Sequence, residues 1–213
     1  FYSKEIFFYF YGILNGTCNY ILTNIKKKTF LKLINLSIKK GIAEKSFEKD
    51  IFGFDTMFKF SILISKIKKV FIPYNFIYLE SIFNLCNYIR KIFFEKKFLS
   101  FYLNINNYIF LNVSLFFTKN VFLKKSKNSF NSIIINCKNS KKTTLTSLGA
   151  GGVPTASAVV YNFYQSFEKK TFFNSKCIKK IKIINKNYLC LNFLIKIEFH
   201  YNIFYFLNIL KIN

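Results

Sequence analysis

Apolar and polar positions change rhythm several times along the chain, and each change predicts an element. Phe1–Leu14 is almost wholly aromatic and aliphatic and reads as a strand or buried segment. Asn15-Gly16-Thr17 breaks that run and opens a helix through about Lys28. Phe30, Leu33, Ile34 and Ser37 then recur at i, i+3, i+4 and i+7. They predict the inward stripe of a second helix, with Thr29 as N-cap and Gly41 as the left-handed residue that ends it. A loop, Ile42–Phe54, leads to a third helix from Asp55 through about Lys66. From Val70 to about Asn139, short aromatic and β-branched runs alternate with Asn, Ser and Lys clusters. Tyr108–Phe116 and Ser132–Cys137 are the candidate strands there. Gly149–Gly152 opens a helix over Pro154–Phe163, and a Lys- and Asn-rich tail turns strand-like at Tyr188–Glu198. This order predicts an α+β fold, a mixed β-sheet with helices on one face.

Composition narrows the classes. An apolar fraction of 52% over 213 residues is ample for a core, in one large domain or two small ones. The net charge is +24, from 33 basic and 9 acidic residues. Arg90 is the only arginine, and Lys, Asn, Ile, Phe and Tyr dominate, all encoded by A/T-rich codons. Codon bias, as in the genome of a reduced symbiont, then supplies most of the charge. Such a field attracts polyanions non-specifically. Specific nucleic-acid readers usually exploit Arg, so a single arginine weighs against nucleic-acid binding as the primary role, although lysines alone can bind phosphate.

Cys18, Cys86, Cys137, Cys177 and Cys190 are odd in number and form no C-x-x-C pair, which argues against a disulfide framework and a zinc site. His200, the only histidine, has no ligand cluster around it; no metal is expected. No apolar run approaches the ~20 residues of a membrane span, and no signal peptide is evident, so a reduced cytoplasmic location is expected. The chain begins at Phe1 and its single methionine is Met57, so it reads as a fragment or processed piece.

The acids are unevenly spread. Glu44, Glu48, Asp50 and Asp55 are four of the nine, and all lie in the stretch Gly41–Lys59. Asp55 and Lys59, four apart, share one helix face. A carboxylate beside an ammonium, with further carboxylates on the preceding loop, suits a small zwitterion. Spacing alone favours a plainer reading, a solvated acidic loop and one surface ion pair. Gly16-Thr17 at a helix start offers backbone N–H groups and a hydroxyl to a carboxylate, or is an ordinary cap. Gly149-Ala-Gly-Gly152 before a helix is a weak phosphate-loop signal, without a complete G-x-G-x-x-G.

Three long stretches and one short one resemble homoserine dehydrogenases, the long ones in that family's order. Gly12-Ile-Leu-Asn-Gly-Thr-Cys-Asn-Tyr-Ile-Leu-Thr23 is similar to its G-I-L-N-G-T-T-N-Y-I-L-T segment. Gly41-Ile-Ala-Glu44, Asp50, Gly53, Asp55 and Lys59 keep the spacing of its G-Y-A-E-x-D-P-x-x-D-x-x-G-x-D-x-x-x-K motif. Gly149-Ala-Gly-Gly-Val-Pro-Thr-Ala-Ser-Ala-Val-Val160 is similar to G-A-G-G-L-P-T-A-S-A-V-V, and Asn128-Ser-Phe-Asn131 to S-F-N-A-V.

The resemblance implies NAD(P)-dependent interconversion of L-homoserine and L-aspartate 4-semialdehyde, in threonine and methionine biosynthesis. It implies that Lys59 gives and takes the proton and that Asp55 orients Lys59 or the substrate hydroxyl. Glu44 would pair with the substrate's amino group, Asp50 would support that end, Gly16 and Thr17 would hold the carboxylate, and Gly151 would touch the cofactor side. Residues 1–163 become a catalytic and substrate domain whose closing helix, 149–163, packs on a nucleotide-binding domain. Residues 164–213 become a basic linker with a truncated ACT-like remnant. A homodimer through the catalytic sheet is implied, and a separate nucleotide-binding chain is a further partner.

The sequence departs from the pattern in three places. Cys18 stands for a Thr, Lys45-Ser46-Phe47 stands where the family has residues ending in Asp-Pro, and no strand–G-x-G-x-x-G–helix precedes Tyr11. The resemblance, over residues 10–163, therefore carries a substrate domain without a nucleotide-binding domain, and the isolated chain is expected not to turn over homoserine. The alternative is a basic RNA-associated or structural remnant without activity. It would show salt-sensitive RNA affinity and no homoserine binding, or indifference to Lys59→Ala and Glu44→Ala.

Overall fold

Strand β1 (Phe7–Ile13) is the spine of a sheet, and the computed structural model describes residues 6–83, 96–105 and 108–167 around it, with the short strand Lys182–Ile183. Antiparallel β3 (Lys96–Ile105) and β5 (Phe130–Cys137) flank β1, with Tyr11 opposite Phe101 on one side and Ile134 on the other. β4 (Tyr108–Phe117) pairs with the full length of β3, and β6 (Lys141–Leu148) forms the outer strand beside β5. β2 (Tyr78–Leu79) and β7 (Lys182–Ile183) run parallel to β4, which makes the sheet mixed. Close approach of β1 and β5 needs Gly12, where a Cβ would sit 2.7 Å from the Ser132 carbonyl oxygen.

β1 shows no polar alternation because both its faces are covered. Phe7, Phe10 and Leu14 face a helical layer of α1 (Gly16–Asn24), α2 (Phe30–Lys39), α3 (Glu48–Ile51) and α4 (Phe54–Lys68). Phe10 stacks on Phe60 of α4 at 5.8 Å, among Phe98, Tyr102, Ile109 and Val113 of the neighbouring strands. Tyr11 and Ile13 join Leu99, Phe101, Phe110 and Phe116 on the opposite face, where a short helix, α5 (Val121–Lys125), contributes Leu123. The α+β class holds, with the main helical layer on one face and this single turn on the other.

Helix bounds follow local chemistry. Thr29 caps α2 by accepting from Lys32 N, Leu33, Ile34 and Ser37 are buried as their spacing predicts, and Gly41 takes φ +64° after the helix. α1 stops at Asn24, short of Lys28, where Thr23 Oγ1 donates to Asn19 O and Asn24 Nδ2 to Tyr20 O. Such back-bonding competes for the carbonyls near the helix end. The predicted loop Ile42–Phe54 contains α3, and α4 begins at Phe54 and extends to Lys68. The last helix, α6 (Gly152–Phe167), is longer than Pro154–Phe163 at both ends, since Pro is well tolerated in a first helical turn.

Cys18 and Cys137 are buried. No helix among the described residues is long and apolar enough to cross a membrane. Tyr188–Glu198, His200, Cys86, Cys177 and Cys190 lie outside the described residues.

Candidate functional site

Where β1 gives way to α1, Asn15 is extended (φ −128°, ψ 113°) and caps the helix, its Oδ1 accepting from Cys18 N at 2.8 Å. That bond fixes the amide's orientation and leaves both hydrogens on Nδ2 free to donate. They go to two carboxylates, Asp50 Oδ1 at 2.8 Å and Asp55 Oδ2 at 3.0 Å. Asp50 is on α3 and Asp55 in the first turn of α4, where a negative charge suits the helix dipole. Gly53 makes the turn between them at φ +82°. A Cβ there would lie 2.7 Å from Leu79 Cδ1 and 2.9 Å from Phe98 Cζ, so the turn is pressed onto the sheet. Cys18 Sγ bonds Asp50 O at 3.1 Å and anchors α3 to α1 from a second point.

Lys59 Nζ lies 2.7 Å from Asp55 Oδ2, the oxygen that already accepts from Asn15. Asp55 Oδ1 and Asp50 Oδ2 take no hydrogen bond from the described residues. The Lys59 side chain is 53% exposed and that of Asp55 29%, so both are open to a ligand. Thr17 Oγ1 donates to Ile42 O at 3.4 Å, and Ile42 N and Ala43 N both reach Ser37 O. This ties down the strap that leads to Glu44. Glu44 itself is exposed, and its carboxylate has no partner among the described residues.

Gly16 packs on the start of α6's turn. A Cβ on Gly16 would sit 3.2 Å from Ser129 O and 3.6 Å from Ala150 Cβ, and Gly149 N donates to Ser129 O at 2.9 Å. The segments around Gly16, Asp50–Lys59 and Gly149 therefore meet at one end of β1, although they are far apart in sequence. Gly151 takes φ +122° with open space around it, its nearest neighbour being Pro154 Cδ at 3.7 Å.

Two features escaped the sequence reading. One is Asn15, whose N-cap preference was legible but whose grip on two carboxylates was not. The other is Lys97, buried behind α1, with Nζ donating to Asn19 Oδ1 at 2.9 Å and Ser126 O at 2.6 Å. Asn19 Nδ2 in turn donates to Ser126 O and Phe130 O. Burial, with Lys127 adding repulsion, pushes the Lys97 ammonium down to about 8.

No group of His, Cys, Asp and Glu among the described residues can hold a metal ion. Nor is the Gly149–Gly152 turn placed like the phosphate loop of a doubly wound dinucleotide fold. The strands are antiparallel apart from the β2–β4 and β4–β7 pairings, and the Gly149–Gly152 turn follows the outer strand β6 rather than an inner parallel one.

The family model for homoserine dehydrogenase matches residues 4–163. The chain belongs to the homoserine dehydrogenase family. A homoserine dehydrogenase of Helicobacter pylori is 31% identical over 169 residues, covering 76% of this chain and 40% of that protein. Among solved structures, a homoserine dehydrogenase from Thiobacillus denitrificans superposes with a TM-score of 0.69 at 24% identity, over 86% of this chain and 46% of the other. One from S. aureus gives 0.63 at 23% identity, over 80% and 45%. The chain thus spans less than half the length of these homoserine dehydrogenases.

Proposed function

We propose that this chain is the substrate-binding and proton-transferring part of a homoserine dehydrogenase, interconverting L-homoserine and L-aspartate 4-semialdehyde in concert with an NAD(P)-binding unit. The observation that carries the reading is the convergence of Asp50, Asp55 and Lys59 on the capped start of α1, beside the Gly149–Gly152 turn. Converting the alcohol to the aldehyde requires its hydroxyl proton to leave. The Lys59 ammonium, exposed and held by Asp55, gives its proton to the oxygen when the aldehyde becomes the alcohol, and in the reverse direction the neutral amine takes the hydroxyl proton. Asp55 orients the ammonium and keeps an oxygen for the hydroxyl. Glu44, exposed and without a partner among the described residues, takes the substrate's amino group, and Asp50 supports that end. Gly16 and Thr17, at a helix start with free N–H groups, hold the carboxylate.

The described sheet is not of the doubly wound kind that binds dinucleotides, so most of the nicotinamide cofactor's binding falls to another unit. Exposed apolar side chains along α6, among them Val153, Tyr161, Phe163 and Tyr164, give that unit a surface to close on, with Gly151 on the cofactor side. A homodimer through the sheet belongs to the same reading, with the exposed outer strand β6 open to a second copy. Calorimetric titration of the purified 213-residue chain with L-homoserine tests the site. Saturable binding that is lost in Lys59→Ala and Glu44→Ala is expected, with no homoserine-dependent nicotinamide reduction by the chain alone. Absence of binding would remove the substrate site from this chain, and turnover by the chain alone would overturn the division of labour.

A further inference from the structure

We infer that Asn15 is the positioning residue of this site, joining Asp50 and Asp55 into one acceptor element aimed at a ligand that carries its own donors. The inference deepens the substrate-domain reading and rests on it for the ligand. Every polar group of the Asn15 side chain is committed: Oδ1 to Cys18 N, and Nδ2 to one oxygen from each carboxylate. Ser, Thr or Asp would cap α1 equally well. Only Asn caps with an oxygen and still donates two hydrogens.

The consequence is directional. Asp55 Oδ2 is taken by Asn15 and Lys59, so Oδ1 is the oxygen left for a ligand, while Asp50 Oδ1 accepts from Asn15 alone and its Oδ2 stays open. Two carboxylates and one ammonium leave this element at −1 on a chain of +24, a local attraction for a cationic amine that the surrounding lysines do not supply. Asn15 is itself buried, so it holds the acids from behind and stays out of the ligand's way. A neutral bridge also avoids placing a second cation beside Lys59, which would compete for Asp55.

Two measurements on the full chain test this. The Asn15 side-chain amide is identified in a nitrogen-proton correlation spectrum by its loss in Asn15→Ser. One of its two proton signals is expected to move in Asp50→Asn and the other in Asp55→Asn; if neither moves, the bridge is overturned. Calorimetry with L-homoserine then compares wild type, Asn15→Ser and Asn15→Asp. Because Ser keeps the cap, thermal stability should stay close to wild type while affinity falls about tenfold, the loss expected for a bond to a charged group. Asn15→Asp, which caps α1 but adds a third carboxylate and removes the donors, should also lose affinity. Wild-type affinity in Asn15→Ser overturns the positioning role. A wild-type chain that binds no homoserine overturns the ligand assignment instead, and the spectrum still decides the bridge.

Discussion

Lys59 is half exposed and its partner Asp55 nearly a third, and that exposure limits what their ion pair gives to folding. Water and salt screen such a pair, which contributes at most about 1 kcal/mol. Lys59→Ala is therefore expected to change unfolding free energy by less than about 1 kcal/mol in urea titration, while abolishing measurable homoserine binding. A loss several times larger would make the pair structural and weaken its assignment to proton transfer. This separation of stability from binding was half legible in the sequence. The four-residue spacing of Asp55 and Lys59 predicted the pair, but spacing and acid density alone favoured a solvated loop, and only the family resemblance pointed to a site. The spacing could not announce the third member. Asn15 lies 35 residues before Asp50 and 40 before Asp55, and a side-chain bond over that distance exists only once the sheet has formed.

The elements divide in the same way between what is local and what the tertiary structure decides. Gly41 and Gly53 both take left-handed backbone, at φ +64° and +82°, but their surroundings differ. A Cβ on Gly41 meets nothing within 4 Å, so Gly41→Ala carries only the backbone strain, about 1 kcal/mol. At Gly53 the Cβ would strike Leu79, Phe98 and the Glu80 carbonyl as well, raising the cost to about 3 kcal/mol. Equal losses in chemical denaturation would show that the α3–α4 turn is not pressed on the sheet. The helix α2 was legible because one face is buried and its caps are local. β3 was missed because Phe98, Leu99, Phe101, Tyr102 and Leu103 are buried on alternate faces, leaving a continuous apolar run with no period of two. β6 was missed for the opposite reason. As an outer strand it is exposed along nearly its whole length, and Lys141-Lys-Thr-Thr-Leu-Thr-Ser-Leu148 reads as a loop.

Across the molecule, the buried ionisable groups link stability to pH with opposite signs. Lys97 titrates at about 8 in the folded chain against an ordinary 10.5, and burial also lowers Lys68 and Lys96. Below pH 8 both folded and unfolded chains carry the Lys97 proton, and the folded state bears the full cost of a buried ammonium bonded to neutral oxygens alone. Between about 8 and 10.5 the folded chain releases that proton while the unfolded chain keeps it, so stability rises with pH. Tyrosine works the other way. Burial raises Tyr102, whose phenol has no hydrogen-bond partner among the described residues, and lifts Tyr11 to about 12 from 10.0. Above pH 10 the unfolded chain ionises these phenols while the folded chain holds them neutral, and stability falls. Melting temperature is therefore expected to climb from pH 8, pass a maximum near pH 10 and decline. Lys97→Met should flatten most of the climb, of order 2 kcal/mol, and leave the decline unchanged. A climb that survives intact in Lys97→Met would mean that Lys97 keeps its proton throughout, and that its bonds to Asn19 and Ser126 offset its burial.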